Sequence, residues 1–468
     1  MRTKMSFFTG TIAMTIMLVL AVSGVYAQSA NVWTAESVPS QSHITGGPWT
    51  LEQTGASNAA PSAGYCVNGV PRPNPGTERM APYYFPFVTG SGKNLRGIFD
   101  YRPRSNNEAV VAASSTDGGL TWHFEQEALE LHRGICPASD AVTLGNDAGL
   151  GHSYVLKVNG QTFLYNLDRT PANLDVAGFV VHILTPQPGA PLNPAPADID
   201  VPQRTTGLLN PDGILGEVPG VSPKTILYVQ KQLGADNTDG TALPAAQQCG
   251  KPVIFKEPAA SHDIVHIRLA STEDGINFTD LGAVEGLNDI TGVAPTDIRY
   301  IGARGTVLLF PDHRWGLLFS GGNCLDGDSD GFHFIGYAES DDLQHWTVIN
   351  GIQNPIASIA PLTVTFNGSP VTVPATQPIV GSTQGWFEGR AYGPSFTLDG
   401  DHGGVMSFAG YHTPRPQDNF GDYRNIGRVV LHSSRPILGV SNGGDDDEDQ
   451  DGDHQGRDEE RGHDKDNH

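Results

Sequence analysis

The sequence predicts an all-β fold built from repeated units. After the first 27 residues, no stretch of eleven or more residues carries the i, i+3, i+4, i+7 apolar stripe of a helix. Glycine (57 residues) and proline (34 residues) are frequent, which is typical of short strands separated by turns. A hairpin followed by a third strand recurs along the chain, and this periodicity indicates a repeat architecture.

Each repeat begins with two apolar strands joined by a turn. The second hairpin contains Asn159-Gly160, the strongest short hairpin signal. In chain order the hairpins are YYFPFVTGSGKNLRGIFD (83–100), HSYVLKVNGQTFLYNLD (152–168), ILGEVPGVSPKTILYV (214–229), TVLLFPDHRWGLLF (306–319) and SFTLDGDHGGVMSF (395–408).

A third apolar strand follows each hairpin. These strands are EAVVAAS (108–114), AGFVVHIL (177–184), DIVHIRLA (263–270), FHFIGYA (332–338) and NIGRVVLH (425–432). Such a unit cannot bury both of its faces alone, so neighbouring units must stack, and radial stacking removes long exposed edges. We therefore expect a β-propeller over residues 28–440, with five blades, or six as the alternative.

A polar turn follows three of the third strands. Its Asp would accept N–H groups of its own turn, its Gly would adopt a positive φ, and its aromatic ring would pack between sheets. The copies are Ser115-x-Asp117-x-Gly119-x-x-Trp122, Ser271-x-Glu273-x-Gly275-x-x-Phe278 and Ser340-x-Asp342-Leu343-x-x-Trp346.

The first copy resembles the Asp-box of sialidases and related propellers. The third is similar to the S-x-D-L-x-x-W turn of five-bladed glycoside hydrolases such as arabinanases, xylosidases and fructosidases. In the first unit YYFPF, LRGIFDYRP and NEAVVAASSTDGGLTW follow the order of the sialidase motifs. The resemblance implies a propeller and a secreted, glycan-active hydrolase.

In a propeller, ligands bind where the innermost strands converge, so the residues near the start of each first strand are the candidates. A ring of carboxylates, arginines and tyrosines there suits an anionic or polyhydroxylated saccharide. The ring residues are Tyr83, Tyr84, Asp147, His152, Asp212, Glu217, Asp297, Arg299, Arg304, Glu388, Arg390 and Tyr392.

The sialidase resemblance implies an arginine cluster for a substrate carboxylate, a tyrosine nucleophile paired with a glutamate, and an aspartate acid/base. Arg304 and Arg390 would clamp the carboxylate, and Tyr411 or Tyr392 would pair with Glu388. The chain departs from the family's Y/F-R-I-P motif, because Tyr83 and Tyr84 precede Phe85-Pro86 where the arginine is expected.

Read without the resemblance, the ring also fits a glycosidase with two carboxylates, drawn from Asp212, Glu217 and Glu388. The predicted catalytic residues are Asp212, Glu388 and Tyr411, and the predicted substrate-binding residues are Arg304, Arg390, Tyr84, Tyr392 and His152.

Two other functions fit the same residues. One is a uronate polysaccharide lyase, in which a Tyr or His removes a proton next to a carboxylate neutralised by Arg. The other is a noncatalytic propeller that binds carbohydrate or protein. On that reading Asp212 is a turn residue beside Gly213.

One loop is a candidate metal site. Asp326, Asp328 and Asp330 alternate before Gly331, as in the opening of an EF-hand, but position 12 is Tyr337 rather than Glu. The loop therefore predicts either a short structural calcium site or an Asp-rich surface turn, and no other cofactor is expected.

The N-terminus predicts export. Arg2 and Lys4 precede an apolar run over 7–22, and Val25-Tyr26-Ala27 fits a cleavage site, which defines a signal peptide over 1–27. The run is shorter than the roughly 20 residues of a membrane span. We expect a secreted monomer, extracellular or periplasmic, in which Cys66, Cys136, Cys249 and Cys324 form two disulfides in one of three connectivities.

The formal charge of −23 is concentrated in part at the C-terminus. Residues 441–468 contain twelve Asp/Glu and three Lys/Arg, a net of −9, and almost no apolar residue. Such a segment cannot offset its ordering entropy, so we expect a disordered acidic tail. So acidic a chain also argues against nucleic acid as a partner.

Overall fold

The computed structural model describes part of the chain. The described residues are 29–46, 65–67, 70–72, 81–104, 107–124, 151–168, 178–184, 203–232, 264–287, 300–322, 334–351, 362–366, 369–373, 378–381, 387, 390–411 and 424–441. Two compact units are distinguished, 1–30 and 31–468, and every strand belongs to the second. Within the described ranges no helix has the length and hydropathy of a membrane span.

The elements of the described residues are β-strands. In chain order they are β1 (Trp33–Ala35), β2 (Ser40–Gln41), β3 (His43–Gly46), β4 (Tyr65–Val67), β5 (Val70–Arg72), β6 (Ala81–Ser91), β7 (Asn94–Arg104), β8 (Asn107–Ser115), β9 (Thr121–Phe124), β10 (Gly151–Val158), β11 (Gln161–Asp168), β12 (Gly178–Leu184), β13 (Gln203–Arg204) and β14 (Pro211–Glu217). They continue with β15 (Lys224–Gln232), β16 (Ile264–Thr272), β17 (Phe278–Ala283), β18 (Tyr300–Leu309), β19 (Trp315–Gly322), β20 (Phe334–Ser340), β21 (Trp346–Asn350), β22 (Leu362–Phe366), β23 (Ser369–Val373), β24 (Val380–Gly381), β25 (Arg390–Leu398), β26 (Gly403–Tyr411), β27 (Arg424–Ser433) and β28 (Gly439–Val440).

The larger sheets each begin with one of the predicted hairpins. Sheet 1 is β6-β7-β8-β9-β3, sheet 2 is β10-β11-β12-β13, sheet 3 is β14-β15-β16-β17, sheet 4 is β28-β18-β19-β20-β21 with β24 on β20, and sheet 5 is β25-β26-β27-β1 with β2 on β27. Two separate hairpins, β4-β5 and β22-β23, complete the set found in the described ranges.

The first long strands of the five sheets, β6, β10, β14, β18 and β25, are called the inner strands below. They contact one another in that cyclic order, and β25 returns to β6. The arrangement is therefore all-β and propeller-like, with the inner strands around a central hub.

Because each sheet lies between two neighbours, its strands are apolar on both faces. Strand β26 illustrates the pattern. Val405 and Ala409 pack with side chains of sheet 1, whereas Met406 and Phe408 pack with side chains of sheet 4. This two-sided burial explains why the third strands read as nearly continuous apolar runs.

Hydroxyl groups join neighbouring inner strands across the hub. The Ser395 hydroxyl on β25 accepts the backbone N–H of Val88 on β6, at 2.8 Å. The Thr306 hydroxyl on β18 accepts the N–H of Phe396 on β25, at 3.1 Å. Tyr154 on β10 accepts the N–H of Glu217 on β14, at 2.7 Å. The donors of Val88 and Phe396 are buried and that of Glu217 is partly buried, so each bond satisfies a backbone N–H where two sheets meet.

The predicted turns occupy the hairpins between third and fourth strands. In the first copy the Asp117 carboxylate accepts the Ser115 hydroxyl and the Thr121 N–H, both at 2.8 Å, and Trp122 is fully buried. Trp122 packs edge-on against Phe99, with ring centroids 5.0 Å apart. The indole and the carboxylate therefore belong to one corner of sheet 1.

The second copy of the turn differs from the prediction. Thr272 and Asp274 make its hydrogen bonds, not Ser271 and Glu273, because the aromatic Phe278 lies six residues after the hydroxyl residue, as Trp346 does in the third copy. Asp274 accepts the N–H of Asn277 at 2.7 Å. The second copy has one residue fewer than the first between its hydroxyl residue and its aromatic residue. Its hydrogen-bonding residues therefore lie one position later than predicted.

The N-terminal strand completes the last sheet. β1 pairs antiparallel with β27, so a segment from the start of the chain forms the outer strand of sheet 5. Asn31, 1% exposed, anchors this segment: its backbone N–H binds Glu339 at 2.6 Å and its side-chain oxygen accepts the Ser433 hydroxyl at 2.9 Å. The segment also supplies β3, which pairs in parallel with β9 of sheet 1.

Candidate functional site

Every inner strand is interrupted near its start by a β-bulge. A bulge leaves residues without a partner in the neighbouring strand and re-aims their side chains. The register shifts lie between Tyr84 and Phe87 in β6, Gly151 and Tyr154 in β10, Pro211 and Gly213 in β14, Gly302 and Gly305 in β18, and Tyr392 and Ser395 in β25. Strand β14 has a second shift between Ile214 and Gly216, and β6 has another between Ala81 and Tyr83.

Contacts between inner strands place the bulges of β6, β10 and β25 at a similar level of the hub. Val88, just after the bulge of β6, binds Ser395, just after the bulge of β25. The rings of Phe87 and Tyr154, each the first residue after its bulge, are 5.1 Å apart. We call this level of the hub the bulge ring.

The strands that carry Asp212 and Arg304 are neighbours in the ring and approach closely. A Cβ on Gly216 of β14 would lie 2.9 Å from the side chain of Val307 on β18. A Cβ on Gly305 of β18 would lie 3.4 Å from the carbonyl oxygen of Leu215 on β14. Glycine at position 216 therefore permits the close contact between sheets 3 and 4, whereas 3.4 Å at Gly305 is an ordinary van der Waals distance.

Most of the site residues predicted from the sequence lie within or directly before one of these bulges. Asp212, His152 and Arg304 lie within bulges, and Tyr84 and Tyr392 directly precede theirs. Arg390 begins β25 and is the register partner of Tyr411 at the end of β26. Glu388, Asp326, Asp328 and Asp330 lie outside the described residues, as do Asp147, Asp297, Arg299 and His412.

Glu217, the remaining carboxylate candidate, is separated from Asp212 by the length of β14. Its carboxylate forms an ion pair with Lys224 across the hairpin between β14 and β15. Glu217 therefore lies at the opposite end of β14 from Asp212, in an ion pair, and its backbone N–H binds the hydroxyl of Tyr154 at 2.7 Å.

The described side chains of the ring are well shielded from solvent. Asp212 is 7% exposed, Tyr392 is 2% exposed and Arg304 is 1% exposed. The Arg304 guanidinium lies 5.5 Å from the ring centroid of Phe87 on β6, although β25 separates β18 from β6 in the ring. Arg304 thus crosses the hub and places a buried positive charge over Phe87 at the bulge ring, where a cation over an aromatic face is stabilised.

Below Arg304 the hub is closed by residues that sequence reasoning missed. Ser441 donates its N–H to the carbonyl of Val307 at 2.9 Å, and its hydroxyl accepts the N–H of Val307 at 3.1 Å. β28 pairs with β18 on the hub side of sheet 4. Ser441 is the first residue of the predicted tail, yet it is 4% exposed. A serine beside an acidic run gives no signal of this role.

Tyr154 is a second residue that the prediction omitted. Burial, together with the negative charge of Glu217, raises the pKa of its phenol far above the usual value. The hydroxyl therefore stays protonated at neutral pH and serves as a hydrogen-bond partner, not as a nucleophile. A tyrosine within a predicted apolar strand gives no signal of this role.

Neither the calcium prediction nor the disulfide prediction is tested by the described residues. Their side chains contain no group of three or more His, Cys, Asp or Glu that could hold a metal ion. Cys66 lies in β4, and the other three cysteines lie outside the described ranges. Both predictions stand as they were made from the sequence.

Comparisons with known proteins give matches of low similarity. No protein-family model and no curated protein matches the chain. An N-acetylgalactosamine deacetylase from F. plautii is 12% identical with a TM-score of 0.44, over 82% of this chain and 96% of that chain. An α-L-arabinofuranosidase from Podospora anserina is 11% identical with a TM-score of 0.40, over 80% and 96%.

A GH43_1 enzyme from Xanthomonas citri is 14% identical with a TM-score of 0.41, over 76% of this chain and 91% of that chain. All three TM-scores are below 0.5, and the sialidase resemblance gains no specific support from these matches. The function of this chain is therefore inferred from its own residues.

Proposed function

We propose that the protein is a secreted, glycan-active enzyme, a glycoside hydrolase whose substrate binds at the bulge ring. The observation that carries the proposal is that each of the five inner strands carries a bulge near its start, with Asp212 and Arg304 in the bulges of two adjacent inner strands. Bulges re-aim side chains out of the ladder, and repeated bulges around one axis direct them toward a common point.

Asp212 is the proposed general base or nucleophile. It is almost buried, and the neighbouring strand carries the cation of Arg304. This role requires the ionised carboxylate, a form that a nearby positive charge favours and that burial opposes. In glycoside hydrolysis one carboxylate acts in this ionised form, while a second carboxyl group protonates the leaving oxygen.

Glu388 is the proposed second carboxyl group. In the sequence it stands between Phe387, which is 4% exposed and packs edge-on against Phe408, and Arg390, which begins β25. Its neighbours in the sequence, Phe387 and Arg390, contact or belong to sheet 5. Tyr411, the register partner of Arg390, is the alternative nucleophile if the reaction follows the sialidase scheme.

The proposed substrate is a polyhydroxylated or anionic saccharide. Arg390, Tyr84, Tyr392 and His152 would bind it, since guanidinium groups bind carboxylates and aromatic rings pack on sugar faces. The buried Arg304 would act on the ligand from beneath the ring. We also propose that sheets 1 to 5 are the five blades of the propeller, and that the chain is exported as a monomer with two disulfides, a structural calcium ion and a disordered tail.

The proposal is tested with a panel of glycosides and uronate polysaccharides and three variants. Asp212→Asn and Glu388→Gln should each lower turnover by about 10²- to 10⁴-fold, the usual contribution of a positioned acid or base. Asp401→Asn is the matched control, because Asp401 is exposed in the hairpin at the other end of β25. Its activity should equal that of the unmodified protein.

The readouts separate the alternatives. Release of reducing sugar supports a hydrolase, whereas ultraviolet absorbance of an unsaturated uronate supports a lyase. Saccharide binding with no turnover supports a noncatalytic propeller. Full activity in folded Asp212→Asn would remove Asp212 from the mechanism.

A further inference from the structure

Sheets 3 and 4 meet at the rim of the molecule through a short parallel bridge. The N–H of Glu285 binds the carbonyl of Gln344 at 2.7 Å, and the N–H of Trp346 binds the carbonyl of Glu285 at 3.0 Å. Glu285 follows β17 of sheet 3, and Trp346 begins β21 of sheet 4. We call this contact the 3–4 seam.

His345 lies at the 3–4 seam between two carboxylates. Its Nδ1 is 2.8 Å from Oδ2 of Asp342, in its own turn, and its Nε2 is 3.5 Å from Oε2 of Glu285, on the neighbouring sheet. The third acidic side chain there, Asp341, lies 3.9 Å from Nε of Arg314. The imidazole is thus the group that links a carboxylate of sheet 4 to a carboxylate of sheet 3.

The seam between sheets 2 and 3 has the same backbone geometry without a titratable link. The N–H of Phe278 binds the carbonyl of Thr206 at 2.9 Å, and Asn277 takes the place of His345. Asn277 donates to Asp274 at 2.6 Å and accepts the Thr206 hydroxyl at 2.8 Å. The uncharged side chain of Asn277 therefore takes the position of His345, between the carboxylate of its own turn and an uncharged residue of the neighbouring sheet.

We propose that His345 makes the 3–4 seam a pH-sensitive clasp, which is tighter when the imidazole carries both protons. A doubly protonated imidazole donates a hydrogen bond to Asp342 and presents its second N–H and its positive charge to Glu285, at the ion-pair distance of 3.5 Å. A neutral imidazole donates from one nitrogen and presents a lone pair to the other carboxylate. Loss of the proton thus replaces one attractive contact across the seam by a repulsive one.

The electrostatics support this direction. The hydrogen bond to Asp342 raises the pKa of His345, and the charges of Asp342 and Glu285 act in the same sense. The bonds from His345 hold the pKa of Asp342 at about 2, so that carboxylate stays ionised over the relevant range. Because the folded pKa is raised, the clasp contributes fully below the unfolded value of about 6.5 and is lost as the pH rises through the folded value.

The clasp joins the two sheets whose inner strands carry Asp212 and Arg304. Its place at the rim keeps it apart from the bulge ring, so it acts on the seam and not on the substrate. The inference does not depend on the proposed function.

Amide hydrogen exchange tests the clasp within one molecule. The quantity measured is the exchange rate of the Trp346 amide divided by that of the Phe278 amide, because the two amides make equivalent bonds in the two seams. Each rate is first divided by the rate of the same amide in an unstructured peptide of the local sequence at the same pH, which removes the intrinsic dependence of exchange on pH, including the effect of the His345 charge on the adjacent Trp346 amide. As the pH rises from about 6 to about 9 we expect the ratio to rise several-fold in the unmodified protein, since the raised pKa of His345 places the loss of its proton above the unfolded value of about 6.5.

Three variants complete the test. His345→Asn copies the neutral seam and should make the ratio constant with pH. Glu285→Gln removes the carboxylate across the seam and should reduce the change. Asn277→His transfers the imidazole to the other seam and should give the Phe278 amide a weaker pH response, because Thr206 carries no charge. A constant ratio in the unmodified protein, or an equal change in His345→Asn, would overturn the clasp.

Discussion

The glycine that follows each rim bridge gives the sharpest test of how the sheets meet. Gly207 follows Thr206 with φ of +82°, and a Cβ built on it would lie 1.8 Å from the carbonyl oxygen of Phe278. Gly160, in the hairpin between β10 and β11, has φ of +76° and nothing within 4 Å of the same position. The two glycines therefore differ in available space and not in backbone conformation.

The comparison of Gly207→Ala with Gly160→Ala isolates the contact between sheets. At Gly160 the left-handed conformation costs an alanine about 1–2 kcal/mol. At Gly207 the Cβ must also move clear of a backbone carbonyl, which breaks the bonds of Thr206 N–H to Ile276 and of Phe278 N–H to Thr206. Each bond contributes about 1 kcal/mol, and a buried group left without a partner costs more. We expect Gly207→Ala to lower the free energy of unfolding by about 4 kcal/mol or more.

Equilibrium unfolding in urea, followed by tryptophan fluorescence, measures both variants under the same conditions. Gly286→Ala is the replicate in the 3–4 seam, because its Cβ would lie 1.9 Å from the carbonyl of Trp346. If Gly207→Ala and Gly160→Ala unfold within about 0.5 kcal/mol of each other, close to the usual limit of additivity, the backbone contact between sheets 2 and 3 is absent and the ring is assembled differently.

Two further outcomes follow from the described contacts. Ser395→Ala removes the acceptor of the Val88 N–H and should lower the free energy of unfolding by about 1–3 kcal/mol. Ser407→Ala, whose buried hydroxyl has no hydrogen-bond partner in the described part of the chain, should change it far less, and equal effects would contradict the inter-sheet bond. The bond from the Asn277 side chain holds the pKa of Asp274 at about 2, so the carboxylate stabilises the fold above its unfolded pKa of about 3.9 and the effect is lost as pH falls through 2. Asp274→Asn should flatten thermal stability against pH in that acidic window, and an unchanged slope would show that the turn does not depend on this charge.

The bulge ring clarifies which of the predicted carboxylates belong together. Asp212 and Glu217 lie on one strand, and the sequence alone offers both as candidates. The hairpin that pairs β14 with β15 brings Lys224 to Glu217, whereas the bulge releases Asp212 from the ladder. The two carboxylates lie at opposite ends of β14. Glu217 therefore forms a structural ion pair, whereas Asp212 is the candidate catalytic group.

Burial changes the expected role of Arg304. Its position near the start of the fourth hairpin predicted a direct substrate contact, as for Arg390. Its guanidinium is instead 1% exposed and packs over Phe87 across the hub. Such a placement suits a fixed charge beneath the ligand, and the difference arises because the sequence does not specify how far a long side chain extends across a central axis.

Local pattern determined the strands and most of the turns of this protein. The third strands were predicted within two residues of their observed ends, as in 332–338 against Phe334–Ser340, because two-sided burial makes them continuous apolar runs. The turn at Ser115, Asp117 and Trp122 was also readable, since its hydrogen bonds join residues at most four positions apart. Hydrogen bonds between residues this close in sequence can be predicted from a few consecutive residues.

Only the tertiary structure decided how the sheets close on one another and what lies at the hub. The pairing of β1 with β27 joins residues about 400 positions apart, and Ser441 fills the hub beside Val307. The alignment of the bulges likewise depends on contacts such as Val88 with Ser395, 307 positions apart. No local propensity encodes these partners, because they are selected by the packing of whole sheets around one axis.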